Sequence, residues 1–332
     1  MRHPYYPSSE EIDRWCLDLV HESEKTPFSA KVAADAAPWV FSPEPRHHEG
    51  NRFVHFTTGG GESFYGFWQP ALSGGPAPLL LHLPGYGAEM SAHPELVVAG
   101  YNVLHVNPLG YNTPDGLDQS KCPQGFWPVL PASAETFGEH GYRDFLRHVL
   151  IAFRWATSLP CVQARRVGVF GSSQGGGTAL LAASLLKDHG IKAVAADVTA
   201  LTNFPLIHAK AEEKGYTHDP TIRTKIPPVY AKGNAQSYAH FALAKVQEEC
   251  PKRLPDAWRA LGFIDTLSHA HRLTMPTLLT GAELDGNTPI FSIISLFEKL
   301  PRTRSYTEIA GQAHGYTPLF LHLAKAWFTA HI

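Results

Sequence analysis

Ser173 stands in the pattern Gly171-x-Ser173-x-Gly175, between a short apolar run ending at Phe170 and the stretch 178–186, which reads as a helix. Glycines two residues either side of a serine permit a tight strand-to-helix turn that lifts the hydroxyl clear of the backbone, so Ser173, rather than Ser172, is the nucleophile that the spacing selects. A serine hydroxyl attacks a carbonyl only when a base removes its proton and an acid orients that base. In this chain order the acid follows a later strand and the base follows the last one. Asp285, just after the apolar run 277–281, is the acid chosen, with Glu283 and Asp197 as rivals; His314, in the turn after the run 304–309, is the base among 19 histidines. A glycine-rich nucleotide loop is the competing reading, but neither GxGxxG nor GxxxxGK[ST] is present. An acyl-enzyme hydrolase follows from the three residues together.

The elements that must position them alternate between strand and helix. Residues 52–57 and 62–69 alternate in polarity around Thr58 and three glycines, which predicts a hairpin at the sheet edge. The apolar run 79–83 predicts a buried strand, the stretches 101–106, 166–170, 193–197, 277–281 and 304–309 predict further strands, and 141–156 predicts a crossover helix with Phe145, Val149, Ala152, Phe153 and Ala156 on one face. A mostly parallel central sheet with helices on both faces, the α/β-hydrolase fold, is the class these runs imply. In that fold the loop after the first parallel strand and the residue after the nucleophile donate two N–H groups to an oxyanion, which selects Tyr86 and Gln174. The loop after 101–106 and the aromatics beyond it place Leu109, Tyr111 and Trp127 as pocket residues.

At the amino end, Ser8-Ser-Glu-Glu11 ahead of Ile12, Trp15, Cys16, Leu19 and Val20 predicts a short capped helix over 8–21 that lays one apolar face on the body, followed by an extended wrap over 26–51 that includes His47 and His48. Residues 1–51 therefore read as an N-terminal segment and 52–332 as the hydrolase domain. Within it, the more polar, proline-interrupted stretch of about 200–262 reads as a cap inserted over the strand ends.

A formal net charge of -2 gives no electrostatic case for a nucleic-acid or membrane partner, and no apolar run reaches the roughly 18 residues a bilayer span needs. Cys16, Cys122, Cys161 and Cys250 are scattered without CxxC spacing, which reads as free thiols in a reducing, cytoplasmic setting and not as a zinc site or disulfide frame. His269 and His271, two apart, make a poor metal pair. No metal or organic cofactor is expected; the expected partner is a small ester. A peptidase or thioesterase on the same scaffold, and a non-catalytic binding protein that keeps the fold, remain as alternatives.

Four stretches together carry a family resemblance: Pro84-Gly-Tyr-Gly87, residues 166–176 around Gly171-x-Ser173-Gln-Gly-Gly176, Phe263-Ile-Asp265 ahead of Met275-Pro276, and Gly281-x-x-x-Asp285. Over most of 50–332 the chain resembles the cephalosporin C deacetylase and acetyl xylan esterase family of carbohydrate esterases. The resemblance implies deacetylation of a sugar-like alcohol by Ser173, Asp285 and His314, oxyanion donors at Tyr86 and Gln174, and a homo-oligomer, the family's being a ring-like hexamer. Two departures stand out: Leu109-Gly110-Tyr111 where the family has Arg-Gly-Gln, and His314-Gly315 where it has His-Glu.

Overall fold

The computed structural model describes residues 3–33, 50–85, 91–107, 141–213, 243 and 246–332. Ser8 caps the first helix, α1 (Ser9–Lys25), through the reciprocal pair expected from the sequence: its side chain accepts from the Glu11 amide while Glu11 accepts from the Ser8 amide. The helix runs one turn beyond the expected end and buries Ile12, Cys16, Leu19 and Val20.

Beyond α1 the chain departs from the expected wrap. Residues 28–33 form a strand, β1 (Phe28–Ala33), paired antiparallel to β2 (Arg52–Thr58) with Phe28 opposite Thr58 and Ala33 opposite Phe53. The hairpin of β2 and β3 (Ser63–Gln69) is present, but β1 and not the hairpin occupies the edge. A six-residue strand next to a proline carries little period of its own; its partner, about 25 residues away, supplies the hydrogen bonds that define it.

The remaining strands are β4 (Ala77–Leu83), β5 (Asn102–Asn107), β6 (Val162–Ser172), β7 (Ile191–Asp197), β8 (Thr277–Ala282) and β9 (Arg304–Ile309). Among the described residues the order is β1-β2-β3-β5-β4-β6-β7-β8-β9, antiparallel up to the β3–β5 pair and parallel from β5 onward. Strands β4, β6 and β7 are buried along most of their length, as parallel strands covered on both faces must be. One face carries α1, α3 (Gly141–Thr157), α4 (Gln174–Leu185), α6 (Leu254–Ile264) and α7 (Ile290–Phe297) over a core that includes Phe145, Val169, Leu181, Trp258 and Ile293. The other carries the short α2 (Pro94–Val98) and α8 (Pro318–His331) over Leu80, Val103, Phe170, Phe320 and Phe328.

Chain order and sheet order part company at β4. The chain steps from β4 outward to β5 and then crosses back to β6 on the opposite side, which makes the carboxyl ends of β4 and β6 the topological switch point of the sheet. In open α/β sheets that switch point is where ligands bind.

Between β7 and β8 lie α5 (Phe204–Glu213), a short helical piece at 246–249, and α6, with a 3-10 turn over Thr266–Arg272. The middle of the stretch read as a cap, 214–242, lies outside the described residues, as do His47, His48, Tyr86, Leu109, Tyr111, Cys122 and Trp127. Helix α6, at the end of that stretch, buries Ala257, Trp258, Leu261 and Ile264 in the same core as α1. No helix among the described residues is long and apolar enough to cross a membrane.

Candidate active site

Strand β6 ends at Ser172, and α4 begins at Gln174, leaving Ser173 to make the whole turn with φ 59° and ψ −122°. That backbone region is sparsely populated for a residue with a side chain and costs on the order of 1–3 kcal/mol. Three hydrogen bonds hold it: the Ser173 amide donates to Asp197 O (2.9 Å), and Ser173 O accepts from Ala200 N (3.0 Å) and Gly177 N (3.2 Å). The flanking glycines are there for close approach. A Cβ on Gly171 would lie 2.4 Å from Gly175 O, and one on Gly175 would lie 2.1 Å from Leu83 O, both against backbone that cannot step aside.

The turn presents Ser173 Oγ to His314, with 2.9 Å between Oγ and Nε2. His314 follows β9 in a loop, where Gly315 at φ 150° lets the chain bend before α8. Its other nitrogen, Nδ1, lies 2.7 Å from Asp285 Oδ2, and the Asp285 side chain is fully buried while the His314 ring is 21% exposed. Asp285 is fully engaged. Its Oδ1 accepts from the amides of Asn287 (2.8 Å) and Thr288 (2.9 Å), and its Oδ2 accepts from the Thr288 hydroxyl (2.6 Å) as well as facing His314. With both amides donating to Oδ1, the carboxylate cannot rotate, and Nδ1 of His314 must carry the proton that bonds Oδ2. Nε2 is then the ring's acceptor, and it faces Ser173. Thr288 escaped the sequence reading, although an aspartate two to three residues ahead of turn amides is a recognisable Asx-turn signal.

The two rival carboxylates are placed elsewhere by strand register. Ser172, Asp197 and Thr280 are neighbours across β6, β7 and β8, so their side chains share one row. Asp197, fully buried, accepts from the Ser172 hydroxyl (2.7 Å) and the Thr280 hydroxyl (2.5 Å). Burial raises its pKa, with the two hydroxyl bonds acting in the opposite direction. Glu283 turns to the Gly311 amide at 3.0 Å. Ser172 is thus tied to Asp197 while Ser173 faces His314.

Gln174 is buried at the first position of α4, where the leading amides of a helix have no acceptor within it and carry the positive end of its dipole. Gly85, two residues after β4, lies against the turn: a Cβ there would sit 3.5 Å from Ser172 O and 3.9 Å from Ser173 Cβ. Among the described residues no group of three or more His, Cys, Asp or Glu is arranged to hold a metal ion.

The chain is similar to known proteins in family and in fold. Residues 52–219 match the family described as acetyl xylan esterase (AXE1). The acetyl xylan esterase of a Paenibacillus species superposes with a TM-score of 0.71 at 18% identity, over 99% of this chain and 98% of that one. Acetyl xylan esterase 1 of a Thermoanaerobacterium species gives 0.69 at 16%, over 98% and 94%. The acylaminoacyl peptidase of Pyrococcus horikoshii is a more distant likeness, 0.57 at 17%, over 85% of this chain and 41% of that one. At these identities the superpositions show a shared fold, the α/β-hydrolase architecture expected from the sequence.

Proposed function

Starting from the match over residues 52–219, by which the chain belongs to the acetyl xylan esterase family, we propose that Ser173, His314 and Asp285 are the working parts of its carboxylic ester hydrolase activity. The observation that carries this is the unbroken relay from Ser173 Oγ through the His314 ring to a buried Asp285 whose own orientation is fixed by three further donors.

The chemistry follows from the proton positions. Nε2 of His314 takes the Ser173 proton as Oγ attacks the acetyl carbonyl, and Asp285 stabilises the imidazolium that forms. The oxyanion is held by the backbone N–H groups of Gln174 and Tyr86, one such donor being worth roughly 10²–10³ in rate. His314 returns the proton to the leaving alcohol oxygen, and the acetyl group stays on Oγ as an ester. Water then repeats the sequence, releasing acetate and restoring the serine. No further group is needed for these steps.

The substrate is a small ester with a sugar-like alcohol. On the acyl side, Leu109, Tyr111 and Trp127 with the residues of about 200–262 read as a cap make a short, apolar pocket. On the alcohol side, the absence of the arginine and glutamine that the resembled family carries at 109–111 relaxes selectivity for xylose. A cytoplasmic, self-associating protein is part of the same reading; the scattered cysteines support the compartment and the family resemblance the association. A serine-directed fluorophosphonate tests the core of it: one equivalent should attach at Ser173 with loss of 4-nitrophenyl acetate hydrolysis. Label on another residue, or undiminished hydrolysis after labelling, would refute the assignment.

A further inference from the structure

Asp265 ends the stretch Phe263-Ile-Asp265 and takes no part in the relay, yet its buried carboxylate receives four hydrogen bonds. Oδ1 accepts from the amides of Asn203 (2.8 Å) and Leu267 (2.9 Å). Oδ2 accepts from the amide of Phe204 (3.0 Å) and from the Tyr6 hydroxyl (2.9 Å). The donors come from three parts of the chain: the junction of α5 with the segment after β7, the 3-10 turn after α6, and the arm ahead of α1. That arm is closely seated. A Cβ on Gly262 of α6 would lie 2.4 Å from Pro7 Cδ and 2.9 Å from Tyr6 Cγ, and His3 stacks on Trp258 with 4.0 Å between ring centroids.

The segment between β7 and α5 is also the one that backs the nucleophile, since Asp197 O and Ala200 N bond the Ser173 backbone. Among the described residues, four that are not glycine have positive φ: Ser173 itself, then Val198 (37°), Leu201 (60°) and Asn203 (55°) of this segment. Such conformations persist only where the surroundings over-determine them. Here Thr280 O accepts from Val198 N (3.0 Å), the Thr266 amide donates to Leu201 O (2.8 Å), and the Thr202 and Thr266 hydroxyls lie 2.7 Å apart. Asp265 takes the two amides at the far end. We propose that Asp265, completed by Tyr6, is a positioning residue for the nucleophile: it fixes the path of 198–204 and, through Ala200 N, the turn that aims Ser173 Oγ at His314. This rests on the esterase reading above.

The place calls for a carboxylate. Three of its four donors are backbone amides, which can only donate, so both oxygens must accept. The Tyr6 hydroxyl keeps its proton, because burial and then the charge of Asp265 push its pKa well above the ordinary tyrosine value. An asparagine offers one accepting oxygen in place of two. With that oxygen at the Oδ1 position, its NH2 faces the Phe204 amide; turned over, its NH2 faces the amides of Asn203 and Leu267. Either orientation leaves the end of the 198–204 segment with an unpaired buried amide.

The test separates aim from folding. Titration with a fluorophosphonate counts the sites that label, and the second-order rate constant per labelled site reports how well Ser173 Oγ is placed. Asp265→Asn should lower that rate constant and kcat for 4-nitrophenyl acetate per labelled site by about 10²-fold, with KM within about threefold, the size expected for a nucleophile displaced by about 1 Å. Tyr6→Phe removes one donor and leaves three, so it should fold and lose about three- to tenfold in both rates through a smaller displacement. Leu19→Ala opens a cavity in the same core away from this network; it should lower the melting temperature and leave both rates per site within about twofold. Wild-type rates per site in Asp265→Asn would overturn the proposal, as would an equal slowing in Leu19→Ala. Should Asp265→Asn yield no folded protein, wild-type rates in Tyr6→Phe would overturn it. A wild-type protein without Ser173-dependent hydrolysis would instead overturn the esterase reading beneath it.

Discussion

Replacing Asp285 by Asn changes one atom, and the structure says which way the amide must face. Oδ1 receives two backbone amides, at 2.8 and 2.9 Å, and neither can do anything but donate. Turning the new NH2 toward them would leave buried donors facing each other, at about 1–3 kcal/mol for each amide left unsatisfied. The carbonyl oxygen therefore stays at the Oδ1 position, and the NH2 takes the place of Oδ2. There it meets the Thr288 hydroxyl, which can rotate to accept, and His314 Nδ1, which now has to accept as well. That moves the ring proton to Nε2, opposite Ser173 Oγ, where it blocks proton transfer. The expected loss is about 10⁴ in kcat, equivalent to about 5.4 kcal/mol of barrier. Asp197→Asn is the matched control: its carboxylate receives only the two rotatable hydroxyls of Ser172 and Thr280, so no tautomer is forced, and the loss should stay under about tenfold. Steady-state hydrolysis of 4-nitrophenyl acetate at pH 8 measures both, with circular dichroism to establish equal folding. Asp285→Asn within tenfold of wild type, or Asp197→Asn the worse of the two, would refute the tautomer argument.

Ser173→Ala should abolish hydrolysis, while Ser172→Ala, which removes one bond to the buried Asp197 carboxylate, should keep most activity and lower stability by about 1.5–3 kcal/mol in urea titration. Gly175→Ala sets a Cβ 2.1 Å from Leu83 O, so the soluble yield should collapse or the melting temperature fall by more than about 10 °C; a native melt would contradict the packing of the turn. Acetate esters should exceed butyrate esters by at least about tenfold in kcat/KM, each methylene that does not fit counting about 1–3 kcal/mol, and a preference for octanoate would contradict the short pocket. Finally, buried His105 and His269 have folded pKa values of about 3 and about 4, below the unfolded value near 6.5. The unfolded chain therefore binds more protons between those limits, so their contribution is complete above pH 6.5 and is lost as pH falls, by about 2 kcal/mol for each ring at pH 5. Urea titrations at pH 8 and pH 5 check the sign; greater stability at pH 5 would contradict it.

Ser173 and His314, which the structure places 2.9 Å apart, stood out along the chain because their signals are local. A serine between glycines at the junction of an apolar run and a helix is a contiguous pattern, and His314 is marked by its turn after the last run. The helix caps and the buried parallel strands were legible for the same reason: period and capping chemistry act within a few residues. What needed the tertiary structure was every choice among similar residues at strand ends. Asp197, Glu283 and Asp285 all follow or end apolar runs, and only register shows that the first sits in a row with Ser172 and Thr280, the second turns to Gly311, and the third reaches His314. The edge strand at Phe28–Ala33 was illegible because its hydrogen bonds come from β2, not from its own pattern. His82 and His105 are two of 19 histidines in the chain, 23 residues apart. The pairing of β4 with β5 sets the two side by side, because residues opposite each other on adjacent strands are close whatever their distance in sequence.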